Sequence, residues 1–161
     1  MNSSPPGKVR TGFPRSHAAS MVEYLRTRIP DLQAVYAFGS QITGHARPDS
    51  DLDLAVLMKG RADALTLFNL SSDLADLAGC DVDLLDIRAA STVMQYQILT
   101  TGERWWAVDY PADLFEIFVL REKIDLDERR TRANSIIKLN ASDAVVPMLA
   151  ANNRLVTIIT L

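Results

Sequence analysis

Cysteine is almost missing from this sequence. Cys80 is the one cysteine in 161 residues, so no disulfide forms within the chain. Histidine is scarce too: His17 and His45 stand far apart, and no Cys/His spacing suits a zinc site. There is no run of about 20 apolar residues, so no membrane span is expected. The opening stretch MNSSPPGKVRTGFPRS has no apolar centre, unlike a secretory signal. Basic residues are not in excess: 17 Lys and Arg face 20 Asp and Glu, for a net charge of −3. That balance argues against a bulk basic surface, and no direct nucleic-acid partner is expected. These absences fit a cytoplasmic protein.

What is present suits one domain with a core. Apolar residues make up 48% and charged residues 23%, an ordinary globular mix. Pro5, Pro6, Gly7, Gly12 and Pro14 mark residues 1–15 as a flexible leader. A helix is expected over 16–29, capped by Ser16, with Met21, Leu25 and Ile29 at helical spacing, and Pro30 ends it. LQAVYAF, 32–38, reads as a strand running into Gly39-Ser40. Residues 41–50 form a polar loop or one short helical turn. DLDLAVLM, 51–58, alternates acid and apolar residues at its start and reads as a second strand. A helix over 61–78 has Leu65, Phe68, Leu70, Leu74 and Leu77 as its apolar face, and Gly79 stops it. DVDLLDI, 81–87, is a third strand. Ser91 caps a helix to about Thr101, Trp105 to Val108 is a short extended piece, and Pro111 opens a last helix over about 112–138. The order implies an α/β (α+β) fold, a small mixed sheet flanked by helices. The main domain spans 16–140, and 141–161 is a tail of unknown role.

Gly39-Ser40, ten residues, then Asp51-Leu52-Asp53 is the informative pattern. Residues i and i+2 of a strand face the same way, with Cα atoms roughly 6.5–7 Å apart, so Asp51 and Asp53 converge. Mg²⁺ takes hard oxygen ligands and pairs one or two carboxylates with substrate phosphates. Asp83 is the expected third ligand, from a neighbouring strand. It is preferred to Asp81, which sits at the strand entrance, while Asp86 points the other way. A glycine after a strand lets backbone approach a ligand, and the Ser40 hydroxyl is a phosphate donor. Singly, a D-x-D is more often a solvated strand face and a Gly-Ser only a turn. Four fixed residues at about 6% each arise together by chance in roughly one chain in five hundred, which favours the functional reading.

The stretch AFGSQITGHARPDSDLDLAVLM resembles the signature of the DNA polymerase β-like nucleotidyltransferases. More narrowly it is similar to the minimal nucleotidyltransferases, the MNT or MntA-type antitoxins paired with HEPN-domain toxins. The likeness covers about residues 15–110. It implies catalytic and metal roles for Asp51, Asp53 and Asp83. It implies nucleotide binding by Gly39 and Ser40, with Arg47 and Ser50 on the same loop as further candidates. Two Mg²⁺ ions and ATP as substrate are implied, with AMP passing to a tyrosine of a HEPN ribonuclease partner that is thereby silenced. The rival readings are an inactive fold that neutralises by binding, and a transferase with a small-molecule or RNA acceptor. Where many relatives carry Arg after Gly-Ser, this chain has Gln41.

Smaller features have plain readings. His45 and His17 read as solvated, Cys80 as a small buried hydrophobe. Trp105-Trp106 reads as core before adenine stacking. The mixed charges of the last helix read first as a solvated face with i,i+4 pairs, and a partner-docking face is the sharper alternative.

Overall fold

The structure, a computed structural model, describes the backbone of residues 13–159 and the side chains of residues 13–139. The leader expected over 1–15 lies, as far as residue 12, outside the described residues. So do the side chains of the tail expected over 141–161. The chain divides into two units, residues 1–120 and 121–161.

The first unit holds the sheet. Its elements are α1 (Arg15–Arg28), β1 (Leu32–Phe38), α2 (Ser40–Thr43), β2 (Leu52–Met58), α3 (Ala64–Ala78), β3 (Val82–Asp86), a 3₁₀ turn (Ile87–Ala89), α4 (Thr92–Thr101) and β4 (Glu103–Ala107). The first turns of α5 (Asp109–Ile159) complete it. The strand order is β3-β2-β1-β4. β1 pairs antiparallel with β2 and β4, and β2 pairs parallel with β3, so the sheet is mixed as expected.

Period-two alternation sends side chains to two layers. Val35, Ala37, Leu52, Leu54, Val56 and Val82 pack with Met21, Leu25, Leu67, Leu70 and Leu74 of α1 and α3. Ala34, Tyr36, Ala55 and Leu57 pack with Ile98 of α4 and Ala112, Phe115 and Val119 of α5. Truncating a fully buried leucine such as Leu54 costs about 2–5 kcal/mol. Tyr36 donates its hydroxyl to Glu116 across the second layer at 2.9 Å; burial, then the Glu116 carboxylate, hold the phenol well above its ordinary range.

Several boundaries differ from the sequence reading, each for a local reason. Ser16 is not the cap of α1: Pro14 occupies that position and Ser16 lies inside the first turn. α3 begins at Ala64 because the Asp63 side chain accepts from Thr66 N–H at 2.9 Å. Its buried face is Leu67, Leu70 and Leu74, whereas Leu65, Phe68 and Leu77 are exposed. β2 starts at Leu52, whose N–H donates to the Asp81 carbonyl at 2.9 Å, leaving Asp51 just outside the strand. Asp86 caps the 3₁₀ turn and is buried, accepting from Ala62 and Arg88 N–H groups. β4 is shifted to Glu103–Ala107. α5 is longer at both ends than 112–138.

The tryptophans take the plain reading. Trp105 stacks on Phe13, with ring centroids 5.7 Å apart, and Trp106 lies beneath the Arg26 guanidinium. Residues 121–139 of the second unit carry the i,i+4 pairs Lys123–Asp127 and Glu128–Arg132 on an exposed helix.

Candidate active site

β1 ends at Phe38, which pairs with Asp53 on β2. Gly39 then turns the chain into α2 with φ 75° and ψ −164°, a conformation essentially reserved for glycine. The Gly39 carbonyl accepts from the N–H groups of Ile42 and Thr43, and from the Thr43 hydroxyl at 3.1 Å. Ser40 is thereby placed at the sheet end beside the start of β2.

The parallel β2–β3 register sets Asp53 directly opposite Asp83. Strands so paired lie about 4.8 Å apart, so the two carboxylates are close neighbours. Asp53 shares its face of β2 with Ala55 and Leu57, the α4/α5 side of the sheet. Asp53 is half-buried, while Asp83 and Asp51 are exposed. Burial first, then the charges of Asp83 and Asp51, push the Asp53 carboxyl above its ordinary range. Among the described residues, no hydrogen bond and no lysine or arginine engages any of these three carboxylates.

Gly39 has a second reason to be glycine. A Cβ there would lie 2.8 Å from the Asp53 carboxyl carbon and on top of its Oδ2. The Asp53 carboxylate therefore rests against the bare Gly39 backbone. The sequence reading gave that space to phosphate, whereas here a protein carboxylate fills it.

The remaining candidates divide. The Ser50 hydroxyl accepts from Arg47 N–H at 2.8 Å, and Ser50 N–H returns to the Arg47 carbonyl at 3.0 Å. Ser50 thus closes the loop ahead of Asp51, and the Arg47 side chain is exposed. Gln41, noted from sequence only for not being Arg, donates its Nε2–H to the Ser50 carbonyl at 2.8 Å. It ties the Ser40 turn to the loop that delivers Asp51, a link without a spacing signal in sequence. A shallow cavity of about 480 Å³ lies behind this loop, lined by Ser50, Asp51, Asp76, Cys80 and Asp81 among others. Cys80 is partly buried there, its thiol pushed up by burial and then by Asp81 and Asp51.

The donor set suits a hard divalent cation: carboxylates from adjacent strands, mutually repelling and lacking a basic partner. Among the described residues no group of three or more histidine, cysteine, aspartate or glutamate side chains is placed to hold a metal ion by itself, so the structure sets Asp53 against Asp83 but does not gather Asp51, Asp53 and Asp83 into one cage.

A family model described as polymerase beta, nucleotidyltransferase matches residues 20–109. The chain belongs to this nucleotidyltransferase family. The nucleotidyltransferase also resembles the protein adenylyltransferase MntA of Shewanella oneidensis, at 38% identity over 97 residues, covering 60% of this chain and 70% of that one. A solved toxin–antitoxin structure with AMP-PNP matches with a TM-score of 0.66 and 33% identity, over 74% of this chain and 98% of the other. A structure of a tri-AMPylated Shewanella oneidensis HEPN toxin with its MNT antitoxin matches with a TM-score of 0.62 and 31% identity, over 76% and 98% of the two chains. The resemblance stated from AFGSQITGHARPDSDLDLAVLM and the fold it implied are both borne out. In this nucleotidyltransferase no helix among the described residues is long and apolar enough to cross a membrane.

Proposed function

We propose that this chain is a Mg²⁺-dependent protein adenylyltransferase. It transfers AMP from ATP to a tyrosine hydroxyl of a HEPN-domain ribonuclease and so acts as its antitoxin. One observation carries the reading: Asp53 and Asp83 stand opposite each other on parallel strands, unpaired, beside the Gly39-Ser40 turn. The likeness to a protein named adenylyltransferase and to a complex containing an AMPylated toxin supports the choice of acceptor.

Asp51, Asp53 and Asp83 would hold Mg²⁺. Bound there, the ion would neutralise phosphate charge as the adenylyl group transfers. The chain's own residues do the rest. The Ser40 hydroxyl donates to a phosphate oxygen, and Gly39 leaves room for the Asp53 carboxylate that faces it. Arg47, on the exposed loop, reaches the phosphates as a positive charge. The tyrosine oxygen attacks the α-phosphorus, a new O–P bond forms, and the bond to the β-phosphate oxygen breaks. Pyrophosphate leaves, and the phenol proton passes to Asp83, the more exposed of the facing pair.

The test is substoichiometric treatment of the HEPN protein with this chain and Mg²⁺-ATP, followed by its removal. The HEPN protein should gain whole AMP units on tyrosine and stay inactive as a ribonuclease. Asp53→Ala should fold and transfer nothing. A HEPN protein of unchanged mass that regains activity on separation refutes the enzymatic reading in favour of neutralisation by binding.

A further inference from the structure

Helix α5 has two apolar faces within the first unit. Ala112, Phe115 and Val119 are buried against the sheet. Tyr110, Leu114, Ile117 and Phe118 lie on the opposite side and are 75%, 49%, 63% and 56% exposed. A surface helix normally turns charged residues outward, and one that is apolar all round is usually covered. These four side chains expose roughly 500 Å² of contiguous surface, within the range of the largest patch on a typical monomer and more than half of the about 800 Å² that one side of a standard interface buries.

The topology places this stripe next to the chemistry. Val108 N–H donates to the Gln33 carbonyl at the start of β1, and Glu116 accepts from Tyr36 further along it. The helix therefore runs towards the Phe38 end of β1, where Gly39 and Ser40 stand. It packs on the same sheet face from which Asp53 projects, since Asp53 alternates with Leu52 and Leu54 and is in phase with Ala55 and Leu57. A protein seated on the outer stripe is held on the carboxylate side of the sheet, at the correct end. Small acceptors and nucleotide have no use for four exposed apolar side chains there.

We infer that the outer face of α5, centred on Ile117 and Phe118, is the docking surface for the acceptor protein itself, which brings a complementary apolar surface and holds its tyrosine at the Asp53–Asp83 edge. This rests on the adenylyltransferase reading. Docking on this face makes acceptor KM, rather than ATP KM, the quantity that the stripe controls.

The test uses the full chain and the HEPN-domain protein of the proposed reaction. Ile117→Asp and Phe118→Asp put charge on already exposed positions and should leave melting temperature and ATP affinity unchanged. Each should weaken HEPN binding at least tenfold by calorimetry and raise acceptor KM by a similar factor. Ile117→Leu should behave as wild type. Variants that bind and label the HEPN protein as well as wild type overturn the docking face and leave the transferase intact. A HEPN protein that binds wild type but not the variants, and is never AMPylated, overturns the transferase reading and leaves the docking face standing. A wild-type chain that is dimeric in sedimentation, and becomes monomeric with Ile117→Asp without loss of HEPN binding, assigns the stripe to a second copy and overturns the inference.

Discussion

Replacing Gly39 by alanine isolates the contact that joins the Gly39-Ser40 turn to the carboxylates. Two costs are separable. The backbone at φ 75° and ψ −164° strains any residue with a Cβ by about 1–3 kcal/mol. The new methyl also falls 2.8 Å from the Asp53 carboxyl carbon, so Asp53 must leave its rotamer. That displacement adds about 0.5–1.5 kcal/mol. The sum is about 2–4 kcal/mol, and at about 2–4 °C per kcal/mol the melting temperature should fall by about 5–15 °C. The second cost vanishes when Asp53 is also alanine. Chemical denaturation of wild type, both single variants and the double variant should then give a coupling of about 1 kcal/mol. Transfer, assayed at a temperature where Gly39→Ala is fully folded, should drop with the displaced carboxylate. Equal costs of Gly39→Ala in the two backgrounds refute the carboxylate contact. An unchanged melting temperature refutes the backbone argument as well.

Two further outcomes follow from the same side chains. The folded Asp53 carboxyl lies above its ordinary value of 3.8, so the folded state binds protons more tightly than the unfolded one. In chelator, stability should therefore fall as pH rises from 3.8 through the raised folded value, and the penalty should persist above it. Asp53→Asn should remove that slope and any stabilisation by added Mg²⁺; melts in which variant and wild type follow the same pH curve contradict this. Gln41→Ala deletes the hydrogen bond to the Ser50 carbonyl, worth about 1 kcal/mol. Hydrogen exchange across residues 44–51 should speed up and ATP KM should rise, whereas unchanged exchange with unchanged KM rules out a positioning role for Gln41.

The site was legible in sequence to the extent that it depends on strand arithmetic. β1 falls at 32–38 as read, and its end at Phe38 fixes Gly39-Ser40. Position in the strand favours Asp83 over Asp81, and the parallel register sets Asp83 against Asp53. What sequence could not supply were contacts across the loop. Gly39 answers to a carboxylate fourteen positions later, and Gln41 answers to a backbone carbonyl. Neither partner leaves a periodic mark. Ser50 reads as a nucleotide ligand; its hydroxyl also accepts from Arg47 N–H, a local turn bond that serine forms readily and that sequence spacing does not reveal.

The misread helices share one cause. Apolar residues at helical spacing identify a helix but not which of two stripes is buried. In α3, sequence spacing puts Leu65 and Phe68 with Leu70 and Leu74 on one face. The buried stripe runs through Leu67, Leu70 and Leu74, which pack into the core, and the adjoining Ser71 faces β3, its hydroxyl accepting from Leu84 N–H. In α5 the charges drew attention to residues beyond Arg121, while the apolar surplus lies before them. A single core face takes about three to four apolar residues in every two turns, roughly half the positions. Residues 110–120, YPADLFEIFVL, carry eight in eleven. Such excess either overfills a core or equips a second surface. The side chains at 110, 114, 117 and 118 are exposed, so the excess equips a surface. Selection against aggregation works on exposed patches of this kind, and a chain keeps one where a partner covers it. Under the adenylyltransferase reading, the partner that most needs such a grip is the substrate protein.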